Sequence, residues 1–141
     1  ESLRNAKERG VEVEIWCSQD SRGYAKAGSS WAVANLIKDT GATFYEVTYD
    51  EEGNLLPMYH MKMMVVDDRY IVIGSSNFNY RSMTLSHEIA LVVDSPSFAQ
   101  KAKEAAMFSA GKGVILTEEE AEMAKKEYGN LFAYLFSYFG G

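Results

Sequence analysis

One cysteine, two histidines and a deficit of positive charge set the first limits on this 141-residue chain. A single cysteine cannot build an internal disulfide framework. Two histidines without a cysteine cluster give no set of zinc ligands, and no cofactor or metal is expected. No apolar run approaches the roughly 18 residues a membrane-spanning helix needs, so these residues are expected to form a soluble unit. Lysine and arginine number 14 against 20 aspartates and glutamates, a net charge of −6 at pH 7. Binders of nucleic acid usually present a basic field to the phosphates. That field is missing overall, and nucleic acid is not expected as a partner.

What is present suits a globular domain. Hydrophobic residues make up 47% and charged residues 24%, enough for one domain with a proper core at this length. The pattern predicts alternating helices and strands. Glu1 to Arg9 reads as a helix closed by Gly10, and Val11 to Cys17 as a half-exposed strand. Ser18 to Gly28 reads as a loop, with Ser29 or Ser30 capping a helix that runs to Thr40 and stops at Gly41. Ala42 to Thr48 is the next strand and Tyr49 to Leu56 a loop. Ser95-Pro96 opens a helix reaching about Ser109, and Gly111-Lys112-Gly113 breaks it. Thr117-Glu118-Glu119-Glu120 is a capping box at the start of an acidic helix. Leu131 to Phe139, dense in aromatics, reads as a helix packed on the core, with contact to a lipid surface as the alternative. Cys17 reads as a small buried hydrophobe.

The chemistry concentrates in the middle of the chain. His60-Met61-Lys62 is followed by Asp67 and then by Gly74-Ser75-Ser76-Asn77, the pattern H-x-K-x4-D-x6-G-S-x-N. Tyr59 to Val66 reads as a strand, Asp67-Asp68-Arg69 as a turn and Tyr70 to Ile73 as the returning strand. Residues two apart share a strand face, so His60 and Lys62 project together while Met61, Met63 and Val65 face an apolar layer. Ser75 and Asn77 follow the second strand, again two apart. Gly74 and Ser76 are small enough for the backbone to approach a phosphate. A nucleophile, a fixed cation and two short hydrogen-bonding side chains are the groups needed to attack a phosphodiester and stabilise its charge. Asp67, in the turn, is expected to tie down the hairpin by accepting from backbone N–H groups.

Ser86 to Val93 reads as a buried strand with one carboxylate, Glu88. A buried Glu needs a partner, and His60 would supply one. Glu88 would then accept one imidazole N–H and leave the other nitrogen as the nucleophile. His87 points to the other face and reads as structural. Taken singly, a His-x-Lys on a strand or a Gly-Ser-Ser-Asn loop is unremarkable. It is their joint occurrence at fixed offsets that carries the argument.

The joint pattern resembles the His-Lys-Asp signature of the phospholipase D superfamily. The likeness runs from the Ala6 to Val11 segment, comparable to a family helix ending in Arg-Gly-Val, to about Phe108. Asn79-Tyr80-Arg81-Ser82 is similar to the N-x-R-S segment of cardiolipin synthases, and the tail from Thr117 is similar to their C-terminal end. The resemblance implies an α/β fold with a mixed sheet flanked by helices, with a catalytic domain over 1–110 and a helical extension over 111–141. It implies catalytic roles for His60, Lys62, Ser75, Asn77 and Glu88, structural roles for Asp67 and Gly74, and a phosphohistidine formed without a metal. Lys62 and Asn77 would hold the non-bridging oxygens, Ser75 would assist, and Glu88 would orient His60.

Family members pair two such motifs, one histidine attacking phosphorus and the other protonating the leaving alcohol. A single copy stands here, and the strand that precedes the first helix in the family is missing. The chain therefore reads as a C-terminal fragment whose second motif comes from a missing N-terminal half or a homodimer partner. The expected substrate is a phospholipid, with phosphatidyl transfer as in bacterial cardiolipin synthases. The expected location is the cytoplasmic side of a bacterial membrane, with an anchor in the full-length protein. A homodimeric nuclease and an inactive binding fragment are the alternative readings.

Overall fold

The chain closes its first helix, α1 (Ser2–Glu8), on Gly10, whose φ of 83° lies where a side chain is disfavoured. The N–H groups of Gly10 and Val11 return to the carbonyls of Lys7 and Ala6 at 2.9 and 3.0 Å, the paired closure of a Schellman cap. This computed structural model describes residues 1–18, 23–47, 52, 54, 59–111 and 113–140, with side chains other than those of 23–26 and 136–140. The expected Tyr49 to Leu56 loop lies almost wholly outside the described residues.

The strands fall into two three-stranded sheets. β1 (Glu14–Ser18) runs parallel to β2 (Thr43–Val47), which pairs antiparallel with the short β6 (Val114–Ile115). β3 (Met63–Val66), β4 (Tyr70–Gly74) and β5 (Ala90–Asp94) form an antiparallel meander with β4 at its centre. The fold is thus α/β as expected, but parallel and antiparallel pairing mix in the first sheet alone.

Helix α2 (Gly23–Thr40) lies over the first sheet and packs against α5 (Glu118–Tyr128) and α6 (Leu131–Gly140). Ala34, Ile37, Phe44 and Ala121 form the buried centre here, with Ile15, Cys17, Val33, Leu36 and Leu116 around it. Residues beyond 111 thus supply a strand and part of this core. α2 begins well before the expected Ser29 or Ser30. Its early turns carry Gly23 and Gly28, poor helix formers by propensity, but Ala27 and Gly28 are buried, and packing outweighs the intrinsic cost. Gly41, at φ 62°, stops the helix as predicted.

α4 (Pro96–Ala110) packs on β4, burying Ile71 and Ala99 completely. Ser95 caps it by accepting from the Phe98 N–H at 3.3 Å, and Pro96 occupies the first turn, both as expected. The capping box at Thr117 also forms: its hydroxyl accepts from the Glu120 N–H at 3.2 Å, and the Glu120 carboxylate accepts from the Thr117 N–H at 2.9 Å. α6 is helical as expected, with Ala133 buried and Tyr134 stacked on Trp31 at 5.7 Å.

Two expectations about strands change. The predicted Tyr59 to Val66 strand is laddered only from Met63. The predicted buried strand over Ser86 to Val93 is instead β5 over Ala90–Asp94, and it is an edge strand with Leu91 and Val92 about two-thirds exposed at 61% and 66%. An apolar run has the same appearance in a covered strand and an uncovered edge, which is why the sequence misled. Helix α3 (Tyr80–Thr84), which was not anticipated, fills part of the gap between β4 and β5.

Candidate active site

In an antiparallel meander the start of the first strand, the end of the second and the start of the third lie at one end of the sheet. His60 and Lys62 immediately precede β3, Ser75 and Asn77 follow β4, and Glu88 precedes β5. Topology therefore gathers all five predicted groups at a single sheet end. Asp67 sits at the opposite end.

The hairpin that makes this possible is a two-residue turn. Asp67 and Asp68 have φ of 53° and 48°, and the Arg69 N–H donates to the Val66 carbonyl at 3.1 Å. Positive φ at both central residues is the type I′ geometry that matches strand twist. Asp tolerates this conformation better than most residues. Asp67 therefore acts through its backbone, and the expected side-chain bonds to N–H groups are not made among the described residues. Asp68 instead accepts from Lys103 of α4 at 2.8 Å. Arg69 grips Asp94 of β5 with two bonds, at 2.6 and 2.8 Å.

Gly74 is required, for a reason the sequence did not disclose. It pairs with Ala90, and a Cβ there would run into the Ile89 carbonyl oxygen and sit 3.1 Å from Ala90 Cα. The glycine lets β5 approach β4 closely. The expected approach of a phosphate is a separate matter. Just past it, the Ser75 N–H donates to the Ile89 carbonyl at 3.0 Å.

Around Glu88 the hydrogen bonds converge. The Ser75 hydroxyl accepts from the Ile89 N–H at 3.1 Å and donates to the Glu88 carboxylate. Ser82, buried in α3, accepts from the Asn77 N–H at 3.2 Å. These hydroxyls, Ser75 first and Ser82 second, together with the field of Lys62, hold the Glu88 carboxyl below the usual range. Lys62 is itself pulled down by partial removal from water, against the opposing pull of Glu88. Its Nζ donates to the His60 carbonyl at 2.9 Å, which fits two residues on one side of an extended segment.

One expected contact is absent: no hydrogen bond joins His60 to Glu88. Glu88 is half-exposed rather than buried, so the desolvation argument for a histidine partner does not apply, and it accepts from the Ser75 hydroxyl instead. His60 is exposed, and so is Asn77. Cys17 behaves as expected, its thiol pushed up to about 12 by burial and by the nearby Glu46.

Tyr59 was overlooked in the sequence. Its N–H donates to the Ser18 hydroxyl at the end of β1, and its own hydroxyl donates to the Ala106 carbonyl in α4 at 3.1 Å. The residue beside His60 is thus fastened both to the first sheet and to the helix backing the second. Adjacency to the motif was the available signal.

A sheet end carrying an exposed imidazole, an ammonium, an ionised carboxylate, a hydroxyl and an amide can bind an oxyanion and offer it a nucleophile. Comparison with known proteins agrees with that class. A family model described as the cardiolipin synthase PLD-like domain matches residues 1–107. The minor cardiolipin synthase ClsB of Bacillus subtilis is 27% identical over 120 residues, 85% of this chain and 28% of that protein. Cardiolipin synthase A of Wigglesworthia glossinidia brevipalpis is 30% identical over 103 residues, 73% of this chain and 19% of that protein. The chain thus spans less than a third of either relative. In three dimensions it is similar to Nuc, a phospholipase D family member from Salmonella typhimurium, with a TM-score of 0.64 and 29% identity, covering 82% of this chain and 70% of that one.

The fold and the family match make this a phospholipase D-like protein. Within that superfamily, the chain belongs to the cardiolipin synthase PLD-like domain family.

Proposed function

We propose that the chain supplies one half of an active site that transfers phosphatidyl groups between alcohols, with a phospholipid as substrate. The observation that carries the reading is the convergence of His60, Lys62, Ser75, Asn77 and Glu88 on one sheet end in a chain of this family. A neutral His60 nitrogen attacks phosphorus, the bond to the leaving alcohol breaks, and the histidine of a second motif gives that alcohol its proton. The phosphohistidine is then attacked by a second alcohol, which returns its proton to the same acid, and His60 is released. Lys62 spends one of its three N–H donors on the His60 carbonyl and keeps others for a non-bridging oxygen. The exposed Asn77 amide takes another.

The second motif belongs to further chain or to another copy. The side of the second sheet bearing Met64, Val66 and Val92 supports that reading, since these residues are 45%, 40% and 66% exposed. Contiguous exposed apolar surface usually marks a place where protein or lipid packs. A net charge of −6 gives no long-range attraction for a polynucleotide, whereas a lipid can be held through its apolar part. Incubating the intact protein with phosphatidylglycerol vesicles should yield cardiolipin and free glycerol. At matched concentration, single- and double-stranded DNA should remain uncut. Efficient DNA cleavage without lipid turnover would overturn the substrate and keep the site.

A further inference from the structure

Four large apolar side chains are left in water beside the site. Phe78, Met83, Leu85 and Ile89 are each more than half exposed, Ile89 at 81%. Three of them are tied to the loop that follows β4. The Phe78 N–H donates to the Ser76 hydroxyl at 3.3 Å, and the Met83 sulfur lies 3.7 Å from the same hydroxyl. The Ile89 N–H and carbonyl are both bonded to Ser75. Leu85 ends α3, which packs on α6. Single exposed apolar residues are ordinary, but a group of them at one place marks a surface where protein or lipid packs.

Phe78 carries a second mark. Its φ of 54° lies in the left-handed region, which bulky side chains avoid. Such conformations persist where the surroundings enforce them, and they cluster at binding sites. Here the ring is not buried in return, so packing within this chain does not account for it.

Charge points to the occupant. The chain has 20 acidic residues in 141, yet none stands between Asp68 and Glu88. Arg81 and His87 lie in that run and are exposed, and Lys62 faces the same sheet end. Glu88, where the run ends, accepts from the Ser75 hydroxyl. The rim of the site is therefore acid-free and basic on a chain of net charge −6, which suits an anionic surface. Methionine, leucine and isoleucine offer no hydrogen bond to a polynucleotide, whereas hydrocarbon takes them up. A partner chain is already provided for by the sheet face that bears Met64, Val66 and Val92.

We infer that Phe78, Met83, Leu85 and Ile89, with Arg81 among them, form the surface by which this site docks on an anionic phospholipid layer. The inference rests on the reading of that sheet end as a phospholipid site. The apolar side chains enter the layer beside the loop of Ser75 to Asn77, and Arg81 stays at the level of the phosphates. A phosphodiester in the layer is thereby brought to Lys62 and His60 without leaving its neighbours.

The experiment attaches a nitrobenzoxadiazole fluorophore to Met83→Cys in the intact protein. Cys17, half-buried with its thiol pushed up to about 12, stays unlabelled. Vesicles of phosphatidylglycerol and phosphatidylcholine that carry nitroxide on their acyl chains should quench this label. A label at Val11→Cys, ahead of β1, should keep its emission. Adding Leu85→Ser and Ile89→Ser should raise the vesicle concentration for half-maximal quenching roughly tenfold or more. Arg81→Gln should raise it about fivefold, and only when phosphatidylglycerol is present. Should Met83→Cys fail to fold, Ile89→Cys takes the label instead. Equal quenching at Met83 and Val11 overturns the inference. So does a Met83 label shielded only as protein concentration rises, since a second copy would then cover the surface. Quenching needs no turnover, so a protein that is quenched as expected yet forms no cardiolipin counts against the proposed function alone. A protein active on vesicles whose label stays bright sinks the inference and leaves that function standing.

Discussion

His60 depends on its neighbours more for place than for chemistry. Tyr59 anchors the segment on one side, and the Lys62 ammonium takes the His60 carbonyl on the other, leaving the imidazole exposed. Among the described residues no hydrogen bond or ion pair of the ring is lost on truncation, so His60→Ala in the intact protein should fold and melt like the parent. Its turnover should drop by several orders of magnitude, as expected for loss of a covalent nucleophile. Circular dichroism with a lipid assay checks both halves, and retention of more than roughly a few per cent of activity would remove His60 from the nucleophile's role. Individual residues were legible to different depths. Cys17 and the paired placement of His60 and Lys62 follow from composition and strand geometry. The partners of Glu88 did not, since a side chain that reads as buried in a strand can sit half-exposed before one.

At the scale of elements, the β3–β4–β5 meander builds the site, and Gly74 sets its spacing. Replacing Gly74 by Ala would push the new methyl into the Ile89 carbonyl, where backbone rather than a movable side chain must give way. Forced overpacking of this kind costs about 1–3 kcal/mol. Gly74→Ala should lower the urea midpoint with an unchanged slope, and should weaken turnover by displacing Ser75 and Glu88 together. A midpoint equal to the parent's would mean that β5 moves away freely. The turn at Asp67-Asp68 was legible because two short polar residues between apolar runs signal a hairpin. Helix α3 was not, because five residues show no periodicity. Its one marker is Asn79, placed to cap it by accepting from the Ser82 N–H.

At the scale of the whole molecule, the proposed chemistry assigns charge stabilisation to Lys62, Asn77 and backbone groups. Among the described residues no three of His, Cys, Asp or Glu are grouped so as to hold a metal ion. Turnover by the intact protein should therefore survive EDTA. Loss of activity that one divalent ion restores would replace this mechanism with a metal-assisted one. Among the described residues, no helix is long and apolar enough to cross a membrane. Contact with a lipid surface, if the substrate is a phospholipid, falls to exposed apolar groups such as Phe132 on α6, which is 83% exposed.

The sequence by itself determined the motif spacing, the hairpin, the helix caps at Ser95 and Thr117, the stops at Gly10 and Gly41, and the family. Apart from the family likeness, these are local: each depends on residues a few positions apart, whose geometry follows from backbone sterics and hydrogen-bond reach. Only the tertiary structure decided that the strands divide into two sheets, that β5 is an uncovered edge, and that Glu88 is held by Ser75 rather than by His60. It also decided that Tyr59 spans from β1 to α4. Those outcomes depend on which surfaces meet, and no local pattern encodes that, because an apolar run or a lone carboxylate looks the same whether or not another element covers it.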